Sequence, residues 1–231
     1  MCKFFSAVIT NKNKTCLYDL DNDSHEFILE KFELKDDKES PNFVRVELIP
    51  KDIFNHDLKT WDFIIDQDYK PDWFNESLAR KTTEKSLKNL IKERFVIGRT
   101  EQRITQGRWF VGKDGVVESV YDNGVVKFVS GNGVVQSVHD NGVVQSVHGN
   151  GVVESVSGNG VVESVYDNGV VESVHGNGVV ESVYDNGVVE SVYDNGVVKS
   201  VSGNGVVIIP NKNKIIVGNP DFKLEVFKAK P

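Results

Sequence analysis

Glycine recurs every nine residues from Gly115 to Gly205, and few chain topologies can accommodate that period. The intervals define ten units close to GVVESVYDN, followed by the partial unit Gly205-Val206-Val207. The second, third and sixth places are always Val, the ninth is always Asn, and the fifth is Ser except at Phe128. Three places vary: the fourth is Glu, Gln or Lys, the seventh is Tyr, His or Ser, and the eighth is Asp or Gly. These three read as outward columns on an invariant frame, where recognition would reside.

Each unit offers a short Val-rich segment, too short and too β-branched for a helix, bounded by Asn-Gly, whose residues both tolerate positive φ. The expected fold class is therefore mainly β. A right- or left-handed β-solenoid of nonapeptide repeats, two per 18-residue coil, is favoured because stacking places Val on Val and Asn on Asn. An antiparallel meander with Asn-Gly hairpins and a three-sided 27-residue coil also fit the period. Strict alternation would place the fourth-place Glu on one face with the second and sixth Val. A bend between the third and sixth Val, turning both inward and leaving Glu-Ser outside, removes that conflict.

Residues 1–107 are not repetitive and read as a small α+β domain. Strands are expected over Lys3–Thr10, Thr15–Leu20, Phe43–Ile49 and Trp61–Ile65. Asp23 with Glu26 suggests a capping-box start to a helix running to about Phe32. A second helix is expected over Glu76–Arg94, with Leu87, Leu90 and Ile91 on one stripe. Phe95–Ile97 and Arg108–Val111 are expected to feed the first coil of a solenoid spanning 108–207. Residues 208–231 then supply a C-terminal β cap, covering apolar side chains and strand edges that the last coil would expose.

The net charge of −7 is unevenly distributed. Residues 115–207 contain 11 acids and two bases, whereas residues 1–114 are nearly balanced. With two cysteines, Cys2 and Cys16, no bilayer-length apolar run and no signal-peptide succession, a reducing cytoplasm is the expected location.

The stretches MCKFFSA, DSHEFILEKFELKDD, FVRVELIP and DQDYKPDWF resemble the N-terminal domain of uncharacterised phage and bacterial proteins in which a short α+β module precedes a β-helical repeat tract. The resemblance implies the two-part layout and a phage or mobile-element origin. It supplies no catalytic residues.

Several constellations invite chemistry, and each has a plainer reading. Asp19, Asp21, Asp23 and Glu30 match EF-hand positions, but Ser24 occupies the place that needs Gly and a strand precedes the loop. Cys2 would be an N-terminal nucleophile after removal of Met1, yet no adjacent glycine or oxyanion site accompanies it. His25 and His56 lie in the first domain. His139, His148 and His175 share the seventh place with Tyr and Ser, a tolerance that a ligand site would not show. Trp61, Tyr69, Trp73 and Phe74 cluster near Pro71 and suit either a docking loop or a core. Accordingly no residue is assigned to catalysis, a cofactor or a metal.

The expected function is non-enzymatic protein binding, as inhibitor or scaffold, through an acidic solenoid face. Nucleic-acid mimicry toward a protein with a basic groove is a special case of it. The residues assigned to the partner are Glu154, Glu163, Glu172, Glu181, Glu190, Tyr166, Tyr184, Tyr193, Asp167, Asp185 and Asp194. Direct nucleic-acid binding by the repeats and membrane association are not expected, although Lys212, Lys214, Lys223, Lys228 and Lys230 offer a weak phosphate contact. A homodimer is expected. The alternatives are a structural fibre or spike element, and an enzyme in the first domain whose cleft gathers His25, Asp21 or Cys2.

Overall fold

The structure is a computed structural model that describes residues 4–10, 13–35 and 42–209. It divides into two compact units, Met1–Arg94 and Phe95–Pro231. The boundary expected at 107/108 thus lies at Arg94/Phe95, because the residues that follow Arg94 already form a coil of the second unit. Cys2, the tail lysines and the predicted cap from Pro210 onward lie outside the described residues.

The first unit is an antiparallel sheet in the order β2-β1-β3-β4, built from β1 (Phe5–Thr10), β2 (Thr15–Leu17), β3 (Phe43–Ile49) and β4 (Asp62–Ile65). Helix α1 (His25–Lys31) packs Ile28 and Leu29 against Val8 and Phe43. Its N-cap is Ser24, one residue later than Asp23: the Ser24 hydroxyl accepts from Phe27 N–H and donates to Glu26. Helix α2 (Glu76–Arg94) buries Ala79, Thr83, Leu87 and Leu90, one helical stripe, while Ile91 is half-buried. Trp61 is fully buried, edge-on to Phe4 and donating from Nε1 to Asn55 O. Trp73 and Phe74 are half-buried and Tyr69 is exposed, so the aromatics near Pro71 do not form one cluster.

The second unit is a β-solenoid. Its strands after β5 (Phe95–Ile97) and β6 (Thr100–Gly112) are β7 (Val116–Val129), β8 (Val134–Val138), β9 (Val143–Val147), β10 (Val152–Val156), β11 (Val161–Val165), β12 (Val170–Val174), β13 (Val179–Val183), β14 (Val188–Val189), β15 (Val197–Val201) and β16 (Val206–Val207). Pairing is parallel and links residues 18 apart, as in Val152↔Val170 and Val161↔Val179, so two units make one coil. The meander and the 27-residue coil are thereby excluded. One face holds the first half of β7 with β8, β10, β12, β14 and β16, and the other holds the second half of β7 with β9, β11, β13 and β15.

The predicted bend is present. Third- and sixth-place valines such as Val153 and Val156 are wholly buried, and the ladder registers skip the fourth residue between them. Second-place valines, including Val152 and Val161, instead lie half-exposed on the outer faces. The interior therefore holds four columns of valine, extended downward by Val96, Ile104 and Val111. Non-repetitive β6 forms a shorter first coil. Its offset to β7 grows from Thr100↔Val116 to Phe110↔Phe128 across two irregularities, reaching the 18-residue period.

The corner differs from the expected Asn-Gly turn. The repeat glycine donates to the seventh-place carbonyl, as in Gly151 N–H to His148 O at 3.0 Å, which centres the turn on the eighth and ninth residues. Every eighth-place residue has positive φ, from +50° at Asp194 to +62° at Gly203. Asp and Gly alternate there because both enter this left-handed region, so backbone geometry accounts for the variation. The first-place glycine is invariant for a different reason: a Cβ on Gly151 would lie 2.2 Å from Val129 O, a carbonyl of the neighbouring coil.

Gly151→Ala is therefore expected to destabilise the solenoid by about 2–4 kcal/mol through overpacking. Asp185→Gly, at φ +53°, should change stability by less than about 1 kcal/mol. Chemical denaturation of the two variants checks both values, and equal effects would contradict this account of the corner.

Candidate functional site

In-register stacking turns each variable place into a column, and the columns differ between the two faces. On the first face the fourth place carries Glu118, Gln136, Glu154, Glu172 and Glu190, with no cation. On the second it carries Lys127, Gln145, Glu163, Glu181 and Lys199. The turns leaving the first face hold Asp122, Asp140 and Asp194, whereas those leaving the second hold Asp167 and Asp185. The expected acidic residues thus do not share one face: Glu154, Glu172 and Glu190 lie on the first and Glu163 and Glu181 on the second, while Asp194, Asp167 and Asp185 lie at the corners that join the two faces. We term these the Glu face and the mixed face.

Both glutamates on the mixed face have partners. Lys199 Nζ lies 2.6 Å from Glu181, and Gln145 donates to Glu163 at 3.3 Å. Glu172 on the Glu face lies between Glu154 and Glu190. Partial desolvation, followed by repulsion from these two neighbours, raises its carboxyl above the ordinary glutamate value.

Seventh-place residues serve the stack. Ser119 Oγ bonds His139 Nε2 at 2.8 Å and Ser155 Oγ bonds His175 Nε2 at 3.1 Å, each joining the fifth place of one coil to the seventh of the next. Tyr166 makes the same link with Ser146. Where Phe128 replaces Ser, His148 packs edge-on against its ring at 5.9 Å. His148, Tyr166 and Tyr184 then stack at 5.0 and 5.1 Å. Burial in this column lowers the His148 pKa, an effect that Asp167 partly opposes. Of the tyrosines assigned to a partner, Tyr166 and Tyr184 are thus half-buried rungs, while Tyr193 is exposed. Ninth-place Asn ladders are present but long and exposed, for example Asn150 to Asn132 at 3.3 Å.

In the first unit the EF-hand-like carboxylates do not gather. Asp19 accepts from the backbone N–H groups of Asp21 and Asn22 and pairs with Lys31 at 2.5 Å, while Asp21 pairs with Arg94 at 3.2 Å. Burial alone would raise the Asp19 pKa, but these hydrogen bonds hold it below the usual value. Cys16 sits against Thr83 and Ser86, and burial pushes its thiol up to about 11, leaving it protonated and weakly nucleophilic near neutrality.

A different polar group is gathered on the α1 side of the sheet. His25, 1% exposed, lies 3.1 Å through Nδ1 from Asp66 Oδ2 and 3.1 Å through Nε2 from Val46 O. Glu47, 5% exposed, accepts from Ser6 Oγ at 3.4 Å across the Ser6↔Glu47 register pair. Sequence reasoning had named His25 but neither Glu47 nor Asp66. Polar residues at a strand centre and just past a strand end were the available signal.

Glu172→Gln should stabilise the solenoid at neutral pH by about 0.2–1 kcal/mol, as expected when a like charge is removed from a cross-strand stack. Because the folded pKa is raised, the penalty exists above that pKa and fades as pH falls through it toward the unfolded value. Melting curves of both proteins between pH 7 and 4 should therefore converge on the acid side, and a gap that widened with acidification would refute the assignment. In comparisons with family models, curated proteins and solved structures, nothing matches the chain.

Proposed function

We propose that the protein is a non-enzymatic binding platform, an inhibitor or scaffold, and that its Glu face engages a basic surface on another protein. The charge asymmetry of the solenoid carries this reading. The fourth-place column of the Glu face contains four carboxylates and no lysine, while that of the mixed face contains two carboxylates and two lysines. Three aspartates sit at the corner after the Glu face, where Asp140 lies 2.9 Å from His139, and two at the corner after the mixed face. Half-exposed second-place valines run beside the Glu column, supplying apolar area next to the charges. An outer face of this kind combines the two contributions from which interfaces are built: desolvated apolar contact and electrostatic steering.

Charge spacing favours nucleic-acid mimicry within this class. The four glutamates of the Glu column and the three aspartates at the adjoining corner together give ~0.3 charges per Å along five coils of ~4.8 Å. One strand of duplex DNA carries a charge about every 3.4 Å, which is the same density. A groove shaped for phosphates would meet a comparable line of charge on a rigid β-frame.

Substituting Glu154, Glu172 and Glu190 with Lys is expected to abolish binding of an oligoarginine probe and of any captured basic-groove protein. Glu163→Lys with Glu181→Lys should weaken binding only slightly. Duplex DNA should compete for the captured protein if mimicry operates. Equal sensitivity to the two sets, or binding that survives reversal of the Glu face, would contradict the proposal.

A further inference from the structure

We propose that His25, Glu47 and Asp66 form a binding site for a first-row divalent transition cation, of the Zn²⁺ or Mn²⁺ class. One ligand atom from each of the three lies within 4.8 Å of the others. The site lies outside the solenoid and is independent of the binding face assigned above.

The hydrogen bonds around His25 lead to this assignment. Val46 O can only accept, so Nε2 must carry a proton to satisfy their 3.1 Å contact. That bond fixes the ring and turns Nδ1 toward Asp66, also 3.1 Å away. A backbone carbonyl holding the far ring nitrogen is the usual way a metal-binding imidazole is oriented. Between Nδ1 and the Asp66 carboxylate something positive must lie, either a proton or a metal ion.

Glu47 decides between these. A proton would serve Nδ1 and Asp66 alone, whereas Glu47, a 5% exposed residue that accepts the 3.4 Å hydrogen bond from Ser6, places a third ligand atom beside them. A carboxylate in a largely buried residue gains from a neighbouring cation. A divalent cation would serve all three groups together. The 3.1 Å spacing of Nδ1 and Oδ2 suits neighbouring ligands on an ion with bonds of about 2.1 Å, and the Glu47 oxygen, within 4.8 Å of them, would move inward to complete the shell. An imidazole beside two carboxylates favours Zn²⁺ or Mn²⁺ over Ca²⁺ and Mg²⁺, which prefer all-oxygen shells.

The chain converges on this point from distant parts of its sequence. Ser6 comes from β1, His25 opens α1, Glu47 lies in β3 and Asp66 follows β4. Each belongs to one of the four N-terminal stretches singled out in the sequence. The Asp66 side chain is 55% exposed, so a bound ion would keep its fourth position open to solvent.

Titration of the metal-free full-length protein with Zn²⁺ and with Mn²⁺, followed by calorimetry and thermal melting, tests the proposal. One equivalent of at least one of the two should bind at least tenfold more tightly than Ca²⁺ or Mg²⁺ and raise Tm. Glu47→Gln and Asp66→Asn should each weaken that binding at least tenfold. A His139→Phe, His148→Phe, His175→Phe variant should bind as the wild type does, which separates this site from the solenoid histidines. Should Glu47→Gln fail to fold, the surface-exposed Asp66→Asn variant carries the test alone. Absence of selective binding, or binding indifferent to Asp66→Asn, would overturn the proposal and leave His25–Asp66 as an ion pair.

Discussion

Parallel pairing of residues 18 apart is the constraint on which the rest of the solenoid depends. Once a coil lies on its neighbour in register, each valine column closes over the next and the strand N–H groups find carbonyls one coil away, as in Val152 N–H to Gly133 O at 2.9 Å. The same register leaves no room at the corner for a Cβ, which explains why the first place is always Gly. Stacked units of this kind gain stability from nearest-neighbour contacts, so a sequence that repeats faithfully needs no long-range encoding.

Register also carries a cost. Identical side chains are brought to adjacent rungs, which suits valine, asparagine and aromatic rings but sets carboxylate beside carboxylate. The two faces meet this cost differently. On the mixed face Lys199 and Gln145 sit beside Glu181 and Glu163, while on the Glu face the repulsion persists and is visible at Glu172. A face that retains such repulsion is electrostatically ready for a basic partner, and this is the physical content of the proposed function.

Much of the fold was legible in the sequence. The period of nine with β-branched residues indicated a solenoid, and the conflict between Glu and strict alternation indicated the inward bend of the third and sixth valines. Phe43–Ile49 and Glu76–Arg94 were bounded correctly by their own patterns. The first coil was only partly legible because Thr100–Gly112 lacks the repeat's Asn-Gly and Val-Val signals, although its Gly107 pairs with the first-place Gly124, and only its pairing with β7 reveals its role. The restriction of the eighth place to Asp or Gly was not legible as a backbone requirement, because its positive φ is a property of the corner and not of the letter. Division of the glutamates between two faces follows from the 18-residue coil, but only once that coil is chosen over its rivals. The His25–Glu47–Asp66 group was hidden for a different reason: its members are some twenty residues apart, and only the sheet order β2-β1-β3-β4 with α1 across it brings them together.

Disulfide trapping offers the most direct measurement of coil register. In a background lacking Cys2 and Cys16, one variant carries Ser155→Cys with Ser173→Cys and a second carries Ser155→Cys with Ser164→Cys. The solenoid places 155 and 173 as partners on neighbouring rungs, within the usual Cα separation of about 4.4–6.8 Å for a disulfide, and places 155 and 164 on opposite faces. Mild oxidation should therefore cross-link the first variant within the chain and leave the second reduced. A cross-link in the second and none in the first would instead identify an antiparallel meander, and the account of stacked columns would fail.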